Sequence, residues 1–206
     1  MTSSSPTTQR SPGKPAIFLD KDGTVLWDVP YNVEPRRMRF APGAAQGLSR
    51  LARLGLPLII ISNQPGIGLG RVRDEDMAVV RQHLGTMFAS VGAQLNDFYY
   101  CPHHPQAALP RYAHVCDCRK PAPGMLRRAA TRHGIDLERS WFVGDILDDV
   151  EAGRRAGCNT VLLDNGHETE WYLNAVRTPE RVAPDLDTAS QWLQEYYDSS
   201  TQEGGS

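Results

Sequence analysis

The sequence predicts a doubly wound α/β domain, a Rossmann-like and mostly parallel sheet with helices on both faces. Two observations carry this. Short apolar runs, AIFLD at 16–20, LPLIIIS at 56–62, WFVGD at 141–145 and TVLLD at 160–164, alternate with amphipathic stretches. Unbroken apolar runs of this length fit strands buried on both faces. The stretches between them carry helix punctuation: Pro42 opens a run that closes at Gly55, and Pro123 opens one that closes at Gly134. Proline in the first turn and glycine past the last is the expected asymmetry. Strands alternating with helices imply a parallel sheet covered on both sides.

In chain order, residues 1–14 are rich in Ser, Thr and Pro and offer no apolar periodicity. They are expected to be disordered, because nothing offsets the entropy of ordering them. The strand at 16–20 comes next, then the helix from Pro42 and the strand at 56–62. A helix is expected over about 74–91, another over 123–134, the strand at 141–145, a helix over about 149–156 and the strand at 160–164. The polar tail at 198–206 is expected to be disordered like the N-terminus. Residues 15–197 then form one domain, and no insert long enough for a large cap separates the first two strands.

The 206 residues are 40% hydrophobic and 22% charged, with a net charge of −2. One core of useful size is possible, and a near-neutral balance gives no basic field to attract nucleic acid or anionic membranes. No run approaches the roughly 18 apolar residues of a membrane span, and the first residues lack the apolar centre of a signal peptide. The expectation is a cytoplasmic monomer acting on a small molecule. In that compartment four cysteines read as metal ligands or core thiols rather than disulfides.

In such sheets ligands bind beyond the carboxyl ends of the strands. Three expected strands end in Asp20, in Ser62-Asn63 and in Gly144-Asp145, so these residues should meet at one edge. FLDKDGTV at 18–25 sets Asp20 and Asp22 after an apolar strand, with Gly23 and Thr24 turning the chain. Taken alone, D-x-D-G-T is also a polar turn. At a strand end, Asp20 can attack phosphorus, while a carboxyl two residues on can protonate the leaving oxygen and then activate water. Phosphoryl transfer needs charge neutralised, which Mg²⁺ on oxygen ligands can supply.

Cys101, His103, Cys116 and Cys118 form C-x-H, a gap of twelve residues, and C-x-C. Four nitrogen and sulfur donors suit tetrahedral zinc, and with no open position such a zinc is structural. His104 could replace His103. A zinc ribbon can also bind nucleic acid, but interleaved basic and aromatic residues are missing. Cys158 reads as core. Gly66, Gly68 and Gly70 do not complete G-x-G-x-x-G, since position 71 is Arg, and read as a flexible loop.

FLDKDGT, IIISNQ, CRKPAPGM and FVGDILDD resemble the four signature segments of the haloacid-dehalogenase superfamily of phosphatases over about residues 16–165. YYCPHHPQ, CDCRKPAPGML and SNQPGIGLG are similar to its heptose 1,7-bisphosphate 7-phosphatase branch, beside the histidinol-phosphate phosphatases. The resemblance implies an Mg²⁺-dependent phosphatase with Asp20 as nucleophile and metal ligand. Asp22 is implied as acid/base and as a ligand through its carbonyl, and Asp145 as a further ligand. Ser62 and Asn63 are implied to bond phosphoryl oxygens, Thr24 and Arg119 to contact substrate, and Lys120 to neutralise charge. Among the paired histidines it favours His103 as the zinc ligand.

Asp149 is expected to support the metal site or cap a helix, and no role is assigned to Asp148. Two departures from the family pattern stand out. Lys21 replaces the usual Arg and is expected to matter little, while Ile146 replaces a lysine beside the metal site. A non-catalytic metabolite-binding module of the same fold is the rival reading, against which the pair Asp20 and Asp22 speaks.

Overall fold

The computed structural model describes residues 13–203. It contains β1 (Ile17–Leu19), α1 (Ala44–Ala52), β2 (Leu58–Asn63), α2 (Pro65–Gly68), α3 (Asp76–Ser90) and β3 (Leu95–Cys101). There follow α4 (Gly124–His133), β4 (Trp141–Gly144), α5 (Leu147–Ala156), β5 (Asn159–Leu163), β6 (Arg181–Ala183) and α6 (Leu186–Glu203). The strands form one sheet in the order β3-β2-β1-β4-β5-β6, and every neighbouring pair is parallel. The winding reverses between β1 and β4, and such a switch point is where these sheets bind ligands.

Alternation along the strands divides the core. Ile17 and Leu19 of β1, with Leu58 and Ile60 of β2, share one apolar cluster with Leu48 of α1, Val80, Leu84 and Phe88 of α3 and Leu193 of α6. Ala16, Phe18, Ile59 and Ile61 join the other cluster with Met125, Leu126 and Ala129 of α4 and Ala152 of α5. Each face of the central strands is thus covered, which is why their sequence runs apolar without interruption. Burying a side chain such as Phe18 contributes about 1.5–3 kcal/mol.

The four expected strands and four expected helices are present; β3, β6, α2 and α6 are additional. β3 reads LNDFYYC, and its buried Asp97 is met by Arg81 (2.6 Å) and His133 (2.9 Å). Between β1 and β2 the described chain adds only α1 and a 3-10 turn at Pro35–Arg37, so there is no large cap. The stretch at Gly66 and Gly68, expected to be a flexible loop, instead forms the buried turn α2. A Cβ on Gly68 would come within 2.6 Å of the Pro102 carbonyl, so close packing requires the glycine. Residues 1–12 of the expected N-terminal segment lie outside the described residues, while Lys14 makes a parallel bridge to Ile135. The expected start of the tail at Asp198 falls within α6. Among the described residues no helix is long and apolar enough to cross a membrane.

Candidate active site

The carboxyl ends of β1, β2 and β4 meet as expected. Asp20, Asp22, Ser62, Asn63, Arg119, Lys120 and Asp145 line one pocket, together with Asp28, Ile146, Asp148 and His167. Lys120 enters from the loop before α4 and is buried. Its ammonium meets Asp20 Oδ1 at 2.5 Å, Asp149 Oδ1 at 2.5 Å and the Ile61 carbonyl at 3.1 Å. Two carboxylates and a carbonyl around the ammonium fix the cation in place. Burial opposes its charge, yet Asp149 and Asp20 hold its pKa above the ordinary lysine value.

Asp149 takes the capping place expected as one of its two roles and also holds Lys120. Oδ1 holds Lys120, while Oδ2 accepts the backbone N–H groups of Asp145 (3.2 Å) and Ile146 (3.3 Å) at the start of α5. A Cβ on Gly144 would sit 2.3 Å from Asp149 Oδ2, so the close approach of strand end and helix depends on that glycine. Asp148, given no role beforehand, lines the pocket and pairs with Arg177 at 3.0 Å.

One lysine faces too many carboxylates. Burial, only partly offset by Lys120, and the neighbouring Asp149 raise the Asp20 carboxyl to about 7. Burial, then the charges of Asp20 and Asp149, raise Asp145 to about 9. Carboxylate oxygens of Asp20, Asp145 and Asp149 lie within 4.8 Å of one another. Such a crowd of hard oxygen donors lacking positive charge fits a divalent cation of the magnesium type.

Around this centre several residues take up positions that the sequence did not reveal. Thr24, expected at the substrate, is buried instead and donates to Asp145 Oδ1 at 3.2 Å. Asn63 binds Lys120 reciprocally, donating to its carbonyl at 3.1 Å and accepting its N–H at 3.0 Å. Its side chain therefore holds the lysine loop against β2. Ser62 accepts from Gln64 at 2.8 Å, and Gln64 also donates to Asp22 Oδ2 at 3.1 Å. Lys21, expected to matter little, is only 1% exposed and meets Asp22 Oδ1 at 2.6 Å. Both oxygens of Asp22 are thus held, Oδ1 by Lys21 and Oδ2 by Gln64.

The Cys/His cluster assembles from residues up to 17 positions apart. Cys118 Sγ lies 3.1 Å from Cys101 Sγ, 3.2 Å from Cys116 Sγ and 3.2 Å from His103 Nδ1. No disulfide forms. Hydrogen bonds from Cys101 and other neighbours lower Cys118 to about 5, while Cys101 is pushed up by its bond to Cys118 and by burial. Soft donors in this arrangement fit a tetrahedral zinc-type ion. His104 is outside the group and accepts from the Gln106 N–H. Arg119 follows the cluster directly: its N–H donates to Cys116 Sγ at 3.3 Å and its guanidinium reaches the His103 carbonyl at 3.4 Å. Cys158 is core, as expected.

His167 was missed. It lies past the end of β5 and meets Asp145 Oδ2 at 2.6 Å. The rule that selected Asp20 and Asp145 would have selected DNGH at 164–167 as well, since it too follows an apolar strand.

Comparison with known proteins agrees with this geometry. A family model described as HAD-hydrolase-like matches residues 117–189. The chain is 35% identical over 179 residues, 87% of each chain, to D-glycero-beta-D-manno-heptose-1,7-bisphosphate 7-phosphatase of Escherichia coli K12. It is 38% identical over 151 residues, 73% of this chain and 80% of the relative, to the enzyme of that name from Photorhabdus laumondii. The crystal structure of D,D-heptose 1,7-bisphosphate phosphatase from B. bronchiseptica, complexed with magnesium and phosphate, superposes with a TM-score of 0.71 at 29% identity, covering 88% of this chain and 99% of that one. The chain is a phosphoric monoester hydrolase of the haloacid-dehalogenase superfamily and belongs to its heptose-1,7-bisphosphate 7-phosphatase family.

Proposed function

We propose that the protein removes the C7 phosphate of D-glycero-D-manno-heptose 1,7-bisphosphate and leaves the C1 phosphate in place. The observation that carries the reading is the meeting of Asp20, Asp22 and Lys120 in one pocket with Arg119. The names of the relatives above support the substrate.

The Asp20 carboxylate attacks phosphorus and forms an aspartyl-phosphate as the bond to the leaving oxygen breaks. Asp22 gives that oxygen its proton, then takes one from the water that attacks the phosphoryl-enzyme and regenerates Asp20. Lys120 keeps Asp20 oriented and offsets charge on the phosphoryl oxygens. Asp20, Asp145 and the Asp22 carbonyl would hold Mg²⁺, which when bound would supply positive charge to offset that of the phosphoryl group. Cys101, His103, Cys116 and Cys118 would hold a structural zinc that fixes the loop carrying Arg119 and Lys120. Arg119 takes the second phosphate, because a guanidinium pairs with phosphate oxygens bidentately.

The test compares catalytic efficiency on the α and β anomers of the bisphosphate with that on histidinol phosphate, which has one phosphate and a cationic amine. Preference for a bisphosphate with release from C7 is expected. Preference for histidinol phosphate, for which Asp28 at the pocket would be the amine's partner, or release from C1, overturns the substrate.

A further inference from the structure

We propose that His167 is a positioning residue of the divalent-cation site, holding the Asp145 carboxylate in its cation-binding orientation by donating from Nδ1 to Oδ2. This rests on the reading that Asp145 holds the cation. The contact is 2.6 Å long, and the imidazole opens into the same pocket as Asp20, Asp22 and Lys120.

The side chain is 38% exposed, yet its neighbours in sequence are anchored on both sides. Asn165 Nδ2 donates to the Gly23 carbonyl at 2.7 Å, in the turn between Asp22 and Thr24. Glu168 Oε2 accepts the Leu147 N–H at 2.6 Å, at the first turn of α5. The stretch 165–168 therefore bridges the loop after β1 and the helix after β4, which carry the acidic cluster between them. Gly23 leaves the space for it: a Cβ there would lie 2.0 Å from Asp145 Oδ2 and 2.5 Å from His167 Nδ1, at a φ of +83°. Thr24 donates to the other oxygen, Oδ1, at 3.2 Å. With a donor on each oxygen, the carboxyl plane cannot rotate freely.

Carboxylates that ligate metals are hydrogen-bonded themselves, and losing such a partner weakens metal affinity about 10–100-fold. His167 supplies the shorter of the two contacts to Asp145, from a segment that carries no catalytic residue.

Isothermal titration of Mg²⁺ into the zinc-containing, magnesium-free protein, without substrate, tests this on the wild type and on H167A, H167N and D145N. H167A is expected to weaken Mg²⁺ binding about 10–100-fold with its melting temperature in the absence of Mg²⁺ unchanged. H167N should bind almost as the wild type, since the asparagine Nδ2 overlies the imidazole Nδ1 and keeps the donor. D145N should lose binding. Wild-type affinity in H167A, or H167N as weak as H167A, overturns the role of His167 while the loss in D145N upholds the cation site. Undiminished binding in D145N overturns both.

Discussion

Lys120 Nζ lies 2.5 Å from Asp149 Oδ1, and the same ammonium lies 2.5 Å from Asp20 Oδ1. The carboxylate at the head of α5 thus holds the cation that holds the nucleophile, across 29 and then 100 positions of sequence. Breaking a buried ion pair from one side costs about 3–5 kcal/mol. Asp149→Ala is expected to lower unfolding free energy by about that much and to reduce kcat as well, read by denaturant titration and steady-state kinetics. A fully stable, fully active variant would show that Lys120 does not depend on Asp149.

Asp20→Asn keeps the shape of the side chain and removes the nucleophilic charge. Loss of kcat by more than about 10⁴-fold is expected, with no phosphoryl-enzyme trapped by rapid acid quench. Substantial remaining turnover would refute the covalent route.

Asp22 is held at Oδ1 by Lys21 and at Oδ2 by Gln64. Asp22→Asn should lower kcat about 10²–10⁴-fold. Lys21→Met should lower kcat by at least about tenfold with little change in KM, because it frees the carboxyl from one side, and Lys21→Arg should restore most of the rate. A Lys21→Met enzyme of normal kcat would return Lys21 to the minor role its sequence suggests.

Acidity should report on the carboxylate cluster. Asp20 at about 7 and Asp145 at about 9 both lie above the ordinary 3.8. Between about pH 4 and 9 the folded, magnesium-free protein therefore retains protons that the unfolded chain has released, so its stability falls as pH rises through that window. A cation must displace those protons, and its affinity climbs over the same range. The melting temperature without Mg²⁺ should decline from about pH 5 to 9, while the increment on adding Mg²⁺ grows; an increment independent of pH would contradict the assignment.

Zinc should co-purify at about one ion per chain, as four protein donors in one cluster imply. Cys116→Ser should lose it and with it both stability and activity, because the loop that ends at Arg119 and Lys120 is tied to the cluster through the Arg119 N–H. Elemental analysis that finds no zinc in an active preparation would overturn this.

The chain's own sequence determined the reactive set. Asp20, Ser62, Asn63 and Asp145 were legible because each follows an apolar run long enough to be a buried strand, and topology then sends every such end to one edge. The three cysteines of the zinc-type cluster were legible from spacing and donor type, and the choice of His103 over His104 from the family resemblance. Tertiary structure alone decided what each polar group touches. Thr24 turned to Asp145, Asn63 to the Lys120 backbone, Lys21 onto Asp22, and His167 onto Asp145 from 22 positions away. The strands β3 and β6 escaped notice for a related reason. Asp97 of β3 is partnered by distant residues, Arg81 and His133, and β6 is a three-residue edge with two exposed positions. Periodicity records which side of an element is apolar, a local property. A hydrogen-bond partner is fixed only when chain segments far apart in sequence are packed to within 3 Å, and no local pattern encodes that distance.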